Sequence, residues 1–509
     1  MGTHVDIRPA GVLGETAPTA LVIGSGFGGL AAAVRLGARG YRVKVVERLD
    51  QPGGRARVFC QDGFTFDAGP TIITAPFLFE ELWTLAGERM SDHVEVKPIE
   101  GFYDIRFDDG DVFHYSGDPV AMRAEVERFS PSDVKGYERF MQRSAELCRT
   151  AFEEMGHVSF GNVADMLKAA PDIVRFGGLK SMYNIVASYI KDEKLRVVFS
   201  FHPLLIGGNP LTASGVYGLI PHLEREWGVH YAVGGTGALV RGLQALIERQ
   251  GGSFEFGQDV DEILVEQGRA AGVRLADGRK LYSDIVVSNA DSATTLRDLL
   301  PSSARRRWSP KAVDKAKISM GLFVWYFGTK RQFPEVAHHT ILLGPRYQGL
   351  LKDIFQHHKL SEDFSLYLHR PTSRDPSLAP PGCDAFYVLS PVPNLEGDVD
   401  WAKMAEPYRK SIEKRLCETV MPGLDEAIMS SRLLTPPDFE TDYRAYRGGA
   451  FSFEPVLTQS AWFRPHNRLG AVENLFLVGA GTHPGAGVPG VLSSARVLDE
   501  VVPDASQFA

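Results

Sequence analysis

The stretch ALVIGSGFGGLAAAVRLGARGYRVKVVE, residues 20–47, restricts the fold more than any other part of the chain. Ala20 to Ile23 read as a buried apolar strand, and Gly24-x-Gly26-x-x-Gly29 opens a helix that stops at Gly40. YRVKVVE then makes a second strand ending in Glu47. Glycines at this spacing let the backbone approach a diphosphate at the helix N-terminus, while an acid after the second strand accepts hydrogen bonds from ribose hydroxyls. A lone glycine motif is weak, whereas strand, turn, helix, strand and acid together give the full dinucleotide-binding context. Phe27, Gly28 and Arg48 belong to the same candidate site. Glu47 favours a free ribose over a 2′-phosphate, so NAD and FAD both satisfy the pattern.

Three further segments repeat the theme of close approach. RLDQPGGRARV places Gly53, Gly54 and Arg55 in a second glycine turn carrying a cation, suited to the other side of a diphosphate. FDAGPTIIT adds a turn with Gly69, Pro70 and Thr71. Near the C-terminus, FLVGAGTHPGAGVPGV runs from an apolar strand through Gly479, Gly481, Gly485, Gly487 and Gly490 to Val491 and into a helix. Five glycines lose much backbone entropy on folding. Something must come close enough to the main chain to exclude side chains.

Glu47 followed by five residues and Gly53-Gly54-Arg55 resembles the glutathione-reductase-like FAD-binding proteins, especially the amine oxidase and carotenoid desaturase branch. The set FDAGPTIIT, SFHPLLIGGNP, LEREWGVHYAVGGTGALV, FRPHN and GAGTHPGAGVPGV is similar to the bacterial phytoene desaturases, and these stretches span nearly the whole chain. The resemblance implies an α/β fold, with a Rossmann-like FAD domain and inserted substrate-binding and helical membrane-facing domains. It implies FAD, a lipophilic polyene substrate (phytoene), and successive C=C formation toward neurosporene or lycopene. Oxygen or a quinone is the implied electron acceptor, and the implied location is peripheral, on the cytoplasmic face of the cell membrane. By resemblance Val260 meets the adenine, Asn289 ends a strand near the flavin, and Gly479, Gly481, Gly490 and Val491 lie beside the flavin ring. There a positive helix end stabilises negative charge. A later-pathway carotenoid dehydrogenase or isomerase is the alternative within this chemistry; a flavin-free prenyl-binding escort protein of the same fold is the alternative from another class.

On this reading the FAD domain is discontinuous, over residues 18–75, 228–300 and 450–509. Residues 76–227 and 301–449 are substrate-binding and membrane-associating inserts, and 1–17 a flexible extension. Ile173 to Ile190 mixes bulky apolar residues with Arg175 and Lys180, as an interfacial helix or a core-facing one would. GGTGAL, Gly234 to Leu239, reads as tight helix packing.

The net charge of −8 and the lack of long Lys/Arg tracts exclude nucleic acid as a partner, with Arg305 to Arg307 read as a solvated face. Four scattered cysteines without a CxxC pair suggest neither zinc nor a redox dithiol. No window is apolar enough to span a membrane. Hydride removal needs an acceptor more than a nucleophile, so polar helpers are few. Asp165 and Lys168, three apart on a helix, are the candidate catalytic residues, with an exposed ion pair as the other reading. His483 reads as structural. The doublets His338-His339 and His357-His358 are not expected to chelate metal, because strand neighbours point to opposite faces.

Overall fold

The structure is a computed structural model that describes residues 17–161, 171, 175–305 and 307–508. Its organising element is a five-stranded parallel sheet in the order Ser253–Glu255, Arg42–Val46, Thr19–Ile23, Ile285–Ser288, Leu475–Leu477. These strands come from three separated stretches of chain. Strand alternation sorts their side chains between two layers. Ala20 and Val22 face the helices Phe27–Ala38, Thr236–Arg249 and Val488–Arg496, whose Leu30, Leu243 and Leu492 are buried with them. Leu21 and Ile23 face a three-stranded antiparallel sheet, Val260–Glu266, Arg269–Leu275 and Lys280–Tyr282, through Ile263 and Val273. Ala31, Ala32 and Ala33 keep the first helix close to its neighbours.

A second, seven-stranded sheet is built from the remaining chain. Its order is Ile428–Leu434, Gly321–Thr329, Asp384–Val392, Leu366–His369, His339–Leu342, Gly101–Arg106, Val112–Ser116. Every pairing is antiparallel except that between His339–Leu342 and Gly101–Arg106. Gly321–Thr329 is buried along its whole length. Phe323, Trp325 and Phe327 pack toward the helix Trp401–Thr419, while Leu322, Val324 and Tyr326 face the other side with Tyr387. That second face is the one turned toward the cavity described below.

The stretch Ile173–Ile190 does not form one interfacial helix. Ile173 and Val174 lie outside the described residues; Phe176 to Lys180 is irregular, and a single helix, Met182–Ala187, follows. Met182, Ile185, Val186 and Ile190 are buried with Phe140 and Phe199. Met182, Ile185, Val186 and Ile190 therefore complete a core between helices, while Leu179 is exposed. Residues 1–16 of the 1–17 extension, together with Asp165, Lys168 and Arg306, lie outside the described residues. Among the described residues no helix is long and apolar enough to cross a membrane.

Candidate active site

The parallel sheet ends at one large cavity of about 570 Å³, into which the segments singled out in the sequence converge. Gly24, Gly26, Phe27 and Gly28 line it from the first turn, and Glu47 and Arg48 from the end of the second strand. Gly53, Gly54, Arg55, Gly69, Pro70 and Thr71 form a second edge; Val260 and Asn289 add two more points. Gly479, Gly481, Gly490 and Val491 close the far side. Gly29 is placed differently: it packs inside the turn, where an added Cβ would lie 2.0 Å from the carbonyl oxygen of Gly24.

The turn tolerates little addition elsewhere. A Cβ on Gly28 would meet Asn289 Oδ1 at 2.5 Å and the Gly479 backbone at 3.1 Å, so the first and last glycine segments touch through Asn289. Gly487 has φ +92°, a region L-residues rarely adopt, and it caps the helix Val488–Arg496, whose N-terminal residues line the cavity. That end carries the positive pole of the helix.

Polar groups at this end fit an anionic dinucleotide. Glu47 is buried, and its Oε2 accepts from the Ser25 backbone N–H at 2.7 Å and the Ser25 hydroxyl at 2.6 Å. Arg55 is half-buried and lines the cavity, yet its Nε is out of solvent and has no hydrogen-bond partner among the described residues. Desolvation holds its guanidinium below the usual range, offset in part by buried Asp291. A cation in that state is matched by a diphosphate. Burial likewise pushes the Asp291 carboxyl up, with Arg55 opposing. The glycine walls, the unpartnered Arg55 Nε and the helix N-terminus fit an anionic dinucleotide such as a flavin dinucleotide.

Away from the cradle the same cavity becomes apolar, with walls that include Leu147, Phe176, Leu205, Ile220, Val324 and Leu389. Its few polar points are grouped. Thr71 Oγ1 lies 3.0 Å from Tyr367 Oη and 2.8 Å from Tyr387 Oη, and Tyr387 also donates to the Gly69 carbonyl at 3.0 Å. Glu224 is buried at the wall, accepts from Tyr103 Oη at 2.6 Å, and has His202 Nε2 3.3 Å from its other oxygen. His483 is buried against the Phe160 ring, and burial pushes its imidazole down to about 3, so it is neutral. Asp291, Glu224 and the two tyrosines escaped sequence reading: Glu224 lies in a stretch read only for its resemblance, and the others sit in ordinary-looking segments.

A family model described as flavin containing amine oxidoreductase matches residues 27–497. A neurosporene-forming phytoene desaturase of Cereibacter sphaeroides is 50% identical over 96% of this chain and 95% of its own. The chain belongs to the phytoene desaturase family. A lycopene-forming phytoene desaturase of Pseudescherichia vulneris is 48% identical to it over 94% of this chain and 97% of its own. Among solved structures, cyclohexylamine oxidase from Brevibacterium oxydans shares the fold of this desaturase-family chain at a TM-score of 0.60 and 15% identity, covering 96% of this chain and 99% of its own. An oxidoreductase from Methanosarcina mazei does so at 0.65 and 20%, covering 95% and 100%. The protein is thus a flavin-containing oxidoreductase with an amine-oxidase-like mixed α/β fold.

The geometric reason given for the first histidine doublet does not hold. His338 and His339 do not point apart: their ring centroids are 4.4 Å from each other, and His369 joins them from the neighbouring strand. His338 precedes the strand His339–Leu342, so strand alternation does not govern the pair. One nitrogen from each of the three rings lies within 4.8 Å of the others.

Proposed function

We propose that this chain is an FAD-dependent phytoene desaturase that introduces successive C=C bonds to give neurosporene or lycopene. The observation that carries the reading is the continuity of one cavity, from a glycine-walled dinucleotide cradle to an apolar end suited to a hydrocarbon. The products named for relatives 46 to 50% identical to this chain support it.

In this reading Gly24 to Gly28 and Gly53 to Arg55 hold the diphosphate, Glu47 the adenosine ribose and Val260 the adenine. The ring end lies against Asn289 and the segment Gly479 to Val491. Bound FAD supplies the hydride acceptor. The protein's part is to orient a polyene that offers no polar handle, to exclude water with apolar walls, and to lower the cost of negative charge with the positive end of the helix Val488–Arg496. Oxygen or a quinone then takes the electrons.

The reading also places the protein peripherally on the cytoplasmic face of the cell membrane. Phytoene is held in lipid by its whole apolar surface, at roughly 25 cal/mol per Å², so an enzyme waiting in water would meet little of it. Leu179, 69% exposed, lies between the exposed Arg175 and Lys180 and three residues from the cavity-lining Phe176, which supplies an apolar point with flanking cations for a bilayer. The test is incubation of purified protein with phytoene in liposomes, with oxygen or with a quinone under nitrogen, followed by separation of products and by flotation. Yellow protein, conjugated products and co-flotation are expected. A colourless protein with no conversion would overturn the assignment, and full activity with no lipid binding would overturn the location.

A further inference from the structure

Resting on the desaturase reading, the reaction leaves a proton to be disposed of inside an apolar cavity. One C–H of the CH–CH unit departs as hydride, and its electron pair goes to FAD. The electron pair of the neighbouring C–H becomes the new π bond. The proton from that second C–H has no acceptor in a hydrocarbon substrate.

We propose that Tyr367 takes up this proton at the cavity wall and that His339, His369 and His338 carry it to Ser373 at the surface. Tyr367 lines the cavity beside Thr71 and Tyr387. Its hydroxyl is 2.7 Å from His339 Nδ1. His339 Nδ1 is 3.3 Å from His369 Nδ1, and the two rings stack at 5.0 Å with 20° between their planes. His369 Nδ1 also donates to the His338 carbonyl at 3.2 Å, His338 closes the cluster within 4.8 Å, and the Nε2 atoms of all three histidines have no hydrogen-bond partner among the described residues, so each ring has a nitrogen left to receive a proton. His338 Nδ1 is 3.0 Å from the hydroxyl of Ser373, which is exposed. Exchangeable groups therefore extend from the cavity wall to the exposed Ser373 through three buried histidines, and a proton crosses from His369 to His338 only as the rings turn.

Each member is in the protonation state a relay needs. Burial holds the Tyr367 hydroxyl far above its ordinary range, so it keeps a proton to pass on as it receives one. Burial keeps the three imidazoles neutral, each with a free lone pair. A base this weak suffices, because the neighbouring C–H becomes strongly acidic as the hydride departs, so its proton is lost in the same step. The proton is not retained either: Arg370 and Arg374 both act against charge on His338. The same two guanidiniums, with no carboxylate in the set, make the cluster a poor seat for a dication.

Holoenzyme is mixed rapidly with phytoene in phosphatidylcholine vesicles without oxygen, and loss of the yellow colour is followed. Wild type should be slower in D₂O than in H₂O, since the Tyr367 hydroxyl proton moves together with the substrate C–H. Tyr367→Phe should slow the step by about 100-fold, the lower range of acid–base contributions, and abolish the D₂O effect while retaining FAD. His339→Gln should behave alike. On flavin-free protein, ¹⁵N-histidine spectra should show one imidazole shifted by Tyr367→Phe. Unchanged rate and isotope effect in Tyr367→Phe would overturn the relay, as would a stoichiometric metal ion in the purified protein. If the variants fail to fold, equal wild-type rates in H₂O and D₂O overturn it alone. No loss of colour in wild type would instead refute the desaturase reading beneath it.

Discussion

Glu47 Oε2 accepts two hydrogen bonds from Ser25, one from the backbone N–H at 2.7 Å and one from the hydroxyl at 2.6 Å. Its Oε1 accepts from the Leu49 N–H at 2.9 Å. The acid after the second strand thus shapes the glycine turn as well as facing the place where a ribose would lie. It joins the two halves of the dinucleotide motif before any cofactor arrives.

Glu47→Ala should therefore weaken FAD binding beyond the loss of a ribose contact. Hydrogen bonds to a charged group contribute about 1.5–3 kcal/mol each, so losing the pair to Ser25 leaves two donors unpaired inside the turn. We expect Glu47→Ala to purify largely colourless and Glu47→Gln, which keeps one acceptor oxygen, to hold an intermediate amount. Flavin absorbance per chain measures this, and full occupancy in the alanine variant would contradict it.

Gly29→Ala is expected to be worse for stability than for chemistry. Its new Cβ would sit 2.0 Å from the Gly24 carbonyl oxygen, which is backbone and cannot swing aside. Overpacking of this kind costs about 1–3 kcal/mol or more. Thermal unfolding without added FAD should fall by several degrees; an unchanged midpoint would mean the turn is looser than the structure shows.

The cradle was legible because close approach is written locally: each contributing turn carries its own glycines, and Gly28 and Gly479 meet through one asparagine that ends a strand. The apolar end was not, since Leu147, Ile220 and Val324 come from distant segments and resemble core residues in every local respect. Ile173–Ile190 shows the same ambiguity from the other side, an apolar stripe that a bilayer or a core would accept equally, taken here by Phe140 and Phe199. The directions of the first histidine doublet were not legible because His338 stands one residue before its strand begins. Tyr367 and Tyr387 are spaced as ordinary strand residues, and nothing in their neighbourhood marks them as the polar points of a greasy wall.

A buried ion pair anchors the sheet next to these histidines. Asp384 is fully buried and accepts from Arg370 Nε at 2.9 Å, the Phe333 N–H at 2.8 Å and the Thr372 hydroxyl at 2.7 Å. Removing one partner of such a pair strands the other charge, at about 3–5 kcal/mol. Asp384→Ala should therefore unfold at clearly lower temperature than wild type. Asp384→Ala/Arg370→Met, which removes both charges, should recover part of the loss. A double variant as unstable as the sum of the two single ones would show that the pairing itself contributes nothing.

The buried histidines make stability depend on acid in a direction that follows from linkage. Burial pushes His338 down to about 3 in the folded chain, whereas an unfolded chain returns it to about 6.5. Above pH 6.5 both states are neutral there and the residue contributes no pH dependence. As pH falls below 6.5 the unfolded state binds a proton that the folded state refuses until near pH 3, so stability drops with acid. Between pH 7.5 and 5.0 the loss from this one group is about 2 kcal/mol. His338→Gln removes it: packing sets how far the variant lies from wild type at pH 7.5, and the missing proton sets how the two converge below that. The difference in unfolding midpoint should narrow, or change sign, as the pH is lowered to 5.0. Parallel curves across that range would mean that His338 is not held neutral, and that the cluster is open to water or already charged.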